Sequence, residues 1–301
     1  MAKSYRVPLL TGGGLVLGLA AVCIAILIPD SADSSPAGVD PRTTDHEPRT
    51  TNAPPVTLAD PGSVVPGGVF EWPGDDATAC GMGAESWTPI GSSCWYPVDL
   101  LADETSLEIW RRTPDGRQTR TLKVLDYPYP VQHLTIADDG KVNLSAEDAA
   151  RANRESARIG RLWPLRSERQ FSLPLGKPLA DLSQGGRFGS RRFMNNQPRS
   201  PHSGADYSAD TGTPVLAVEA GTVVLAEEHF FAGNSVFIDH GDGLISMSFH
   251  LDRIDVVVGD RIRRGQQVGT VGATGRVTGP HLHFGLRWRG KRINPEALIG
   301  R

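Results

Sequence analysis

Cysteine is scarce in this chain of 301 residues, which has only three, and none follows Cys94. The chain after Cys94 therefore has no thiolate for the cysteine-rich ligand sets that are typical of structural zinc sites. An excess of positive charge is also missing, because 31 lysines and arginines face 34 acidic residues, for a formal net charge of −3. This balance argues against a nucleic acid as the partner.

A nearly unbroken apolar run extends from Val7 to Ile28, preceded by Lys3 and Arg6 and followed by acidic residues. It is long enough to span a bilayer, which takes about 20 residues, and the flanking charges place its N-terminus in the cytoplasm. We therefore predict an uncleaved membrane anchor over residues 1–29, with the rest of the chain in the periplasm or cell-wall space. The alternative is a signal peptide, cleaved near the small residues 35–37, and a secreted protein.

Two segments with different compositions follow the apolar run. Residues 30–60 are rich in Pro, Ser, Thr and Asp and poor in large apolar residues, so they predict a flexible linker. Residues 61–142 predict a small β-sandwich-like domain, in which the strand-like stretches Leu107–Arg112 and Thr121–Leu125 flank a Pro-Asp-Gly turn.

The interior of this N-terminal β-domain is predicted from its aromatic residues and cysteines. A carbohydrate-binding platform is possible for the aromatic side chains, but we interpret them as core because each buries a large area. They are Trp72, Trp87, Trp95, Tyr96 and Trp110. Cys80 and Cys94 are the two cysteines outside the apolar run, and in an oxidising compartment they predict a disulfide.

Residues 143–165 predict a connecting helix. Ser145 is a good N-cap with Asp148 three residues later, and no proline interrupts the stretch from Ala146 to Leu162. We interpret the basic face of this helix as solvated, with docking of an anionic substrate as the alternative; it consists of Arg151, Arg154, Arg158 and Arg161.

The last hundred residues contain short runs rich in Val, Ile and Phe, separated by Gly, Asn or Asp turns, with no room for helical crossovers. They predict an antiparallel β architecture. The predicted strands are Pro214–Val218, Thr222–Ala226, Ser235–Ile238, Leu244–Phe249 and Gln267–Val271.

Five candidate metal-site residues lie in three motifs of this region. His202 and Asp206 in PHSGAD are four residues apart and would converge from one turn of helix or one tight loop; His281 and His283 in GPHLHF would share one face of a strand. His250 lies in SFHL. Two imidazoles and a carboxylate without a thiolate are typical of a catalytic zinc, which lowers the pKa of bound water to about 7. Two further histidines would then serve proton transfer and oxyanion stabilisation.

The remaining histidines are interpreted as structural or surface groups: His46, His133, His229 and His240. None of them belongs to the three motifs.

The stretch from about Arg187 to Ala297 resembles the lysostaphin/LytM-type zinc metalloendopeptidases, which cut peptides in bacterial peptidoglycan. The blocks that carry this resemblance occur in the family's order and include RFGSRR, GTPVLAVEAGTVVLA, NSVFIDHGDG, VVVGDRIRRGQQVGTVGATG, TGPHLHFGLR and INPEAL. The resemblance implies a zinc peptidase domain over residues 166–301 that holds one Zn²⁺ and takes peptidoglycan peptides as substrate. It makes His202, Asp206 and His283 the zinc ligands, and His250 and His281 the catalytic histidines, without saying which of the two is the base.

One departure from the family pattern is Phe249, where a tyrosine often precedes the HL pair. It puts a possible hydroxyl near the metal in doubt. The family resemblance also implies the bond that is cut, a D-Ala to diaminopimelate cross-link, with a glycine bridge as the rival.

Three other functions are weighed against peptide hydrolysis. The Gly-Asp and Gly-Gln turns around Gly259 and Gly265 are also similar to biotinyl or lipoyl carriers, but no lysine for modification occurs between Lys177 and Lys291. A two-histidine phosphotransfer site would leave Asp206 unexplained. A non-catalytic LytM-like scaffold or amidase activator would generally have lost ligands, and here all five residues are present.

The segment Gly185–Pro201, directly before the first ligand, carries glycines, prolines, two asparagines and several arginines. It predicts a long loop at the rim of the cleft. Contact with carboxylates of the substrate peptide is predicted for its arginines, which are Arg187, Arg191, Arg192 and Arg199. As an alternative, Asn195 or Asn196 would occupy the open metal position and keep the enzyme latent.

Overall fold

The computed structural model describes residues 62–182 and 185–300. The predicted membrane anchor (1–29) and linker (30–60) lie outside these residues. No helix in the described part of the chain is long and apolar enough to cross a membrane.

The first half of the described chain is a small all-β unit. A five-stranded sheet has the order β1-β7-β6-β3-β4, and β2 and β5 form a separate antiparallel pair. The hairpin predicted at the Pro-Asp-Gly turn is present, closing with the pair Thr113 and Gly116. The strands are β1 (Ser63–Val64), β2 (Val69–Pro73), β3 (Ala79–Met82), β4 (Glu85–Trp87), β5 (Ser93–Pro97), β6 (Ser106–Thr113) and β7 (Gly116–Val124).

Most of the predicted aromatic residues form the core of this unit. Trp72, Trp87, Tyr96 and Trp110 are buried, and the Tyr96 hydroxyl donates to the Trp110 carbonyl over 2.9 Å. Trp95 is half-buried and packs against the core of the C-terminal sheet instead. The interpretation as core rather than as a binding platform is therefore confirmed for the four buried rings.

The disulfide between Cys80 and Cys94 is present, with both residues fully buried. It closes a loop of about 15 residues, so the chain-entropy model gives it a stabilisation of about 3 kcal/mol.

We expect the double variant Cys80→Ala, Cys94→Ala to lose about that much free energy of unfolding in a urea titration. Reducing agent should destabilise the wild type similarly and leave the variant unchanged; a loss well under 1 kcal/mol would contradict the role given to the bond.

The predicted helix is α1 (Ala146–Gly160), capped by the Ser145 hydroxyl, which accepts from the Asp148 amide over 3.0 Å. Its basic face is exposed at Arg154, Arg158 and Arg161 and half-buried at Arg151, so the solvated interpretation holds for most of it. Arg151 pairs with Glu228 at 3.3 Å and Arg158 with Glu227 at 2.8 Å. Because both glutamates lie on strand β13 of the C-terminal sheet, these arginines attach the helix to that sheet.

The segment 185–201, predicted as a long loop before the first ligand, contains a hairpin over residues 191–199. Strands β9 (Arg191–Met194) and β10 (Gln197–Arg199) pair with each other, and β9 runs parallel to β8 (Val131–Leu134). Asn195 and Asn196 both have positive φ, the conformation that a two-residue hairpin turn requires. The two asparagines thus form the turn of this hairpin.

The C-terminal half is an antiparallel sheet of nine strands with the main order β11-β18-β15-β14-β13-β16, to which β12, β17 and β19 are added at the sides. All five predicted strands occur, several of them longer than expected. Their buried faces form a core that includes Val236, Leu251 and Trp288. The strands are β11 (Gly204–Tyr207), β12 (Pro214–Leu216), β13 (Gly221–His229), β14 (Gly233–Asp239), β15 (Leu244–Ile254), β16 (Arg261–Ile262), β17 (Gln267–Val271), β18 (Leu282–Trp288) and β19 (Lys291–Ile293).

The described residues belong to one compact unit. The N-terminal strands contact the large sheet directly: the Asp99 carboxylate pairs with Arg292 at 2.8 Å, and the Asn294 amide donates to the Gly67 carbonyl. Because β8 pairs with β9, one small sheet joins residues on both sides of the predicted domain boundary at 142. The domain boundaries themselves stay a prediction.

Candidate metal centre

Three adjacent strands bring the candidate ligands together. In the register of the large sheet, Asp206 on β11 and Phe249 on β15 lie on either side of His283 on β18. His202 precedes β11 and reaches the same point. Gly204 makes the close approach possible, because a Cβ there would meet His283 Nε2 at 2.6 Å.

The spacing of His202 and Asp206 is achieved differently from either expectation. Asp206 lies inside a strand, not on a turn of helix or in a tight loop. His202 is held before the strand by two main-chain hydrogen bonds, in which its amide donates to Ser190 and its carbonyl accepts from Gly189.

Three buried ligand atoms form a small triangle. His202 Nε2 lies 2.8 Å from His283 Nδ1 and 3.0 Å from Asp206 Oδ1, and His283 Nδ1 lies 2.9 Å from Asp206 Oδ1. His202 is fully buried, and the Asp206 side chain is 8% exposed. The three ligand atoms are close enough to one another to hold one metal ion.

The hydrogen bonding of His202 tests whether a cation fits this triangle. Its Nδ1 lies 2.8 Å from the Arg187 carbonyl, which only accepts, so Nδ1 carries the proton. Burial lowers the pKa of His202 to about 3, so the ring is neutral and Nε2 presents a lone pair. That lone pair points at the oxygen of a carboxylate, which also carries lone pairs. Two facing lone pairs repel each other, and a cation shared between them stabilises the arrangement.

Asp206 is kept ionised although it is buried. Burial would raise its pKa, but the hydrogen bond from the adjacent His283 ring holds the pKa below the usual range. Its second oxygen, Oδ2, accepts from Arg192 at 3.2 Å and lies 3.9 Å from Arg187. The carboxylate therefore faces the triangle with Oδ1 and the arginines with Oδ2.

His250 and His281 lie beside the triangle with ring centroids 4.9 Å apart. Each donates from Nδ1 to a main-chain carbonyl at 2.9 Å, His250 to Thr274 and His281 to Gly279. Burial lowers the pKa of His250 to about 3 and also lowers the pKa of His281. Both rings are neutral at pH 7, with a free lone pair on Nε2.

Two further features orient His250 and His283. His250 has φ +63°, a left-handed conformation that is uncommon outside glycine and is often found at functional sites. The Phe249 ring stacks on His283 with centroids 5.2 Å apart and planes 7° from parallel. In place of the hydroxyl that the sequence put in doubt, this position provides a flat apolar surface that orients a candidate ligand.

The other described histidines lie apart from this group. His240 is buried and fully bonded, donating to the Ala220 carbonyl and accepting from Ser246, so its structural interpretation is confirmed. His229 lies 3.3 Å from Glu227, and His133 stacks on Phe193. His46 lies outside the described residues.

The asparagines and arginines before the first ligand have partners that the sequence did not reveal. The Asn195 side chain bonds to both main-chain polar groups of Ile136, at 2.9 and 3.1 Å, and so is engaged by residues outside the metal triangle. Arg192 contacts the Asp206 carboxylate at 3.2 Å, and contact of the arginines with a substrate carboxylate stays a prediction. Thr274 and Arg276 were not predicted at all, and because Thr274 contributes a main-chain carbonyl, its residue type gave no signal.

Comparison with known proteins agrees with this geometry. The model of peptidase family M23 matches residues 200–295. A crystal structure assigned to peptidase M23 from Pseudomonas aeruginosa superposes with a TM-score of 0.60 and 30% identity, covering 81% of this chain and 96% of that one. The chain therefore belongs to peptidase family M23, which confirms the resemblance seen in the sequence.

Curated relatives match over the same region. The peptidoglycan DD-endopeptidase ShyA of Vibrio cholerae is 45% identical over 95 residues, and the DD-carboxypeptidase/endopeptidase Mpg of Neisseria meningitidis is 40% identical over 97. Each match covers 32% of this chain and 22% of the relative. The chain thus spans less than a quarter of the length of these relatives.

Proposed function

We propose that this protein is a zinc-dependent metalloendopeptidase that hydrolyses peptide bonds in the stems or cross-links of peptidoglycan. His202, Asp206 and His283 would hold one Zn²⁺, and His250 and His281 would act on the reacting atoms. The observation that carries the proposal is the triangle of ligand atoms with two neutral imidazoles beside it. Two nitrogens, one carboxylate oxygen and no thiolate are a ligand set of catalytic zinc.

When bound, zinc supplies an acidified water and polarises a carbonyl oxygen. The chain's own residues provide the proton movement. Because Nδ1 of both His250 and His281 donates to a carbonyl, Nε2 is the atom of each neutral ring that would accept a proton. A ring that has taken the proton then donates from Nε2 to the oxyanion or to the leaving amine.

Asp206 also favours proton uptake by His281. Its Oδ1 lies 3.9 Å from His281 Nε2, so the carboxylate stabilises the positive charge that the ring acquires. The Asp206 carboxylate would thus bind the metal and also stabilise the protonated form of His281.

The proposed substrate bond is the D-Ala to diaminopimelate cross-link. It is supported by the names of the relatives, which are described as DD-endopeptidases or as a DD-carboxypeptidase/endopeptidase. We place the activity on the outer side of the cytoplasmic membrane, with the N-terminal apolar run as the anchor. The buried disulfide supports this location, since such bonds persist in oxidising compartments.

Digestion of purified sacculi by the full-length, zinc-loaded protein tests the proposal. The expected result is conversion of cross-linked muropeptide dimers into monomers, identified by mass spectrometry, and complete loss of this conversion with a chelator. An unchanged dimer fraction with correctly folded, zinc-loaded protein would reject peptidoglycan hydrolysis, and conversion that persists with chelator would reject the role of the metal.

A further inference from the structure

Three arginines gather beside the metal triangle, and we call them the arginine cluster: Arg192, Arg199 and Arg276. Arg192 and Arg199 are direct cross-strand partners in the β9–β10 hairpin, so their side chains share one face. Arg199 donates to the Val142 carbonyl at 2.8 Å, and Arg276 donates to the adjacent Lys141 carbonyl at 3.3 Å. Three distant parts of the chain thus converge at residues 141–142.

The arginine cluster borders both sides of the candidate active site. On one side, Arg192 contacts the Asp206 carboxylate at 3.2 Å. On the other, Arg276 follows two residues after Thr274, whose carbonyl holds His250. The Arg276 amide donates to the Phe231 carbonyl, and the next carbonyl, that of Ala232, accepts from the His250 amide. A group bound to the cluster would therefore lie next to the residues that hold and cut the substrate.

Two of the three arginines, Arg199 and Arg276, have no carboxylate partner among the described residues. In the described residues, the hydrogen-bond partners of Arg199 and Arg276 are neutral carbonyl or amide oxygens, and Arg276 also lies over the Phe231 ring at 4.2 Å. The nearby Asp139 carboxylate is occupied by the side-chain amides of Asn143 and Asn195. Asp206, the partner of Arg192, is also the candidate metal ligand.

Arg276 stays charged at neutral pH. Burial and the charges of Arg199 and Arg192 lower the pKa of Arg276 to about 10, which still leaves the guanidinium protonated. Arg199 and Arg276 are half-buried guanidiniums without a carboxylate partner, which is costly, and an anionic ligand offsets that cost. Guanidinium forks fit a carboxylate through two parallel hydrogen bonds, which a neutral amide cannot match.

We propose that the arginine cluster is a carboxylate-binding subsite, which selects peptides that carry a free carboxylate close to the scissile bond. The proposal rests on the proposed peptidase function. The carboxylate has two possible sources, the α-carboxylate at the end of the peptide and a carboxylate on a side chain. Both present the same chemistry to the cluster.

Synthetic stem peptides with either carboxylate free or amidated distinguish these sources on the full-length, zinc-loaded protein. Amidation of the recognised carboxylate should raise KM about 10-fold or more, while amidation of the other should leave KM unchanged. Arg276→Gln and, separately, Arg199→Gln should raise KM for the free carboxylate by a similar factor, with kcat and zinc content nearly constant. In these variants, amidation should have no further effect.

Arg263→Gln is the matched control, because Arg263 is exposed and follows β16, which pairs with the Gly221 end of β13, far from Phe231. It should keep the wild-type preference for the free carboxylate. Equal KM values for free and amidated peptides in the wild type would overturn the subsite, and this arm does not depend on any variant folding.

Binding of fluorescent peptides to the metal-free protein separates the subsite from the catalytic proposal. Tighter binding of the free carboxylate without hydrolysis by the zinc-loaded protein would retain the subsite and reject the peptidase. Hydrolysis without any preference for the free carboxylate in KM or binding would retain the peptidase and reject the subsite.

Discussion

His202→Ala should reduce the zinc content of the purified protein from about one ion per chain to near zero. The reason is that His202 Nε2 is one corner of the triangle of ligand atoms, and its ring is fixed by the Arg187 carbonyl, so no nearby group replaces it. Hydrolysis of sacculi should fall by at least about 1000-fold, because the acidified water and the polarisation of the carbonyl are lost together. Elemental analysis and muropeptide release measure the two effects.

The matched control is His133→Ala, which removes an exposed histidine that stacks on Phe193 away from the triangle. Its zinc content and activity should equal those of the wild type. Equal zinc in wild type and His202→Ala would refute the ligand assignment; Asp206→Ala and His283→Ala should repeat the loss.

His281→Ala should keep its zinc and lose most of its activity. Its ring contributes no atom to the triangle, and its Nε2 lies 3.9 Å from Asp206 Oδ1. Loss of a positioned proton carrier typically costs about 100-fold to 10,000-fold in rate, so kcat should fall by that factor. Elemental analysis should show that zinc stays near one ion per chain.

His250→Ala should behave similarly, since its Nε2 is equally free. A variant of either residue that retains near-wild-type kcat would remove that residue from the mechanism. A His281→Ala protein that has lost its zinc would instead assign the residue to the metal.

The parts of the fold that were predicted correctly depend on local patterns. The strands of the large sheet are alternating apolar runs between turn residues, and α1 begins at a serine cap that is visible in the sequence. The five candidate site residues were found because imidazole and carboxylate groups in short motifs are chemically distinctive. The structure places all five in one cleft.

The parts that were missed depend on contacts between distant residues. Arg158 and Glu227 lie far apart in the sequence and meet only in the folded chain, so the sequence could not show that α1 pairs with β13. The strands beside Asn195 and Asn196 were missed because β9 is completed by pairing with β8, which lies about 60 residues earlier in the chain. Arg276 gave no signal, since its importance comes only from the folding of residues 141 and 199 around it.

The most direct test of the central claim is a zinc titration of the metal-free full-length protein on purified sacculi. The activity should rise linearly with added zinc and stop rising at about one equivalent per chain, because one triangle of His202, Asp206 and His283 holds one ion. Activity in the metal-free protein, or no activity after one equivalent has bound, would contradict the account.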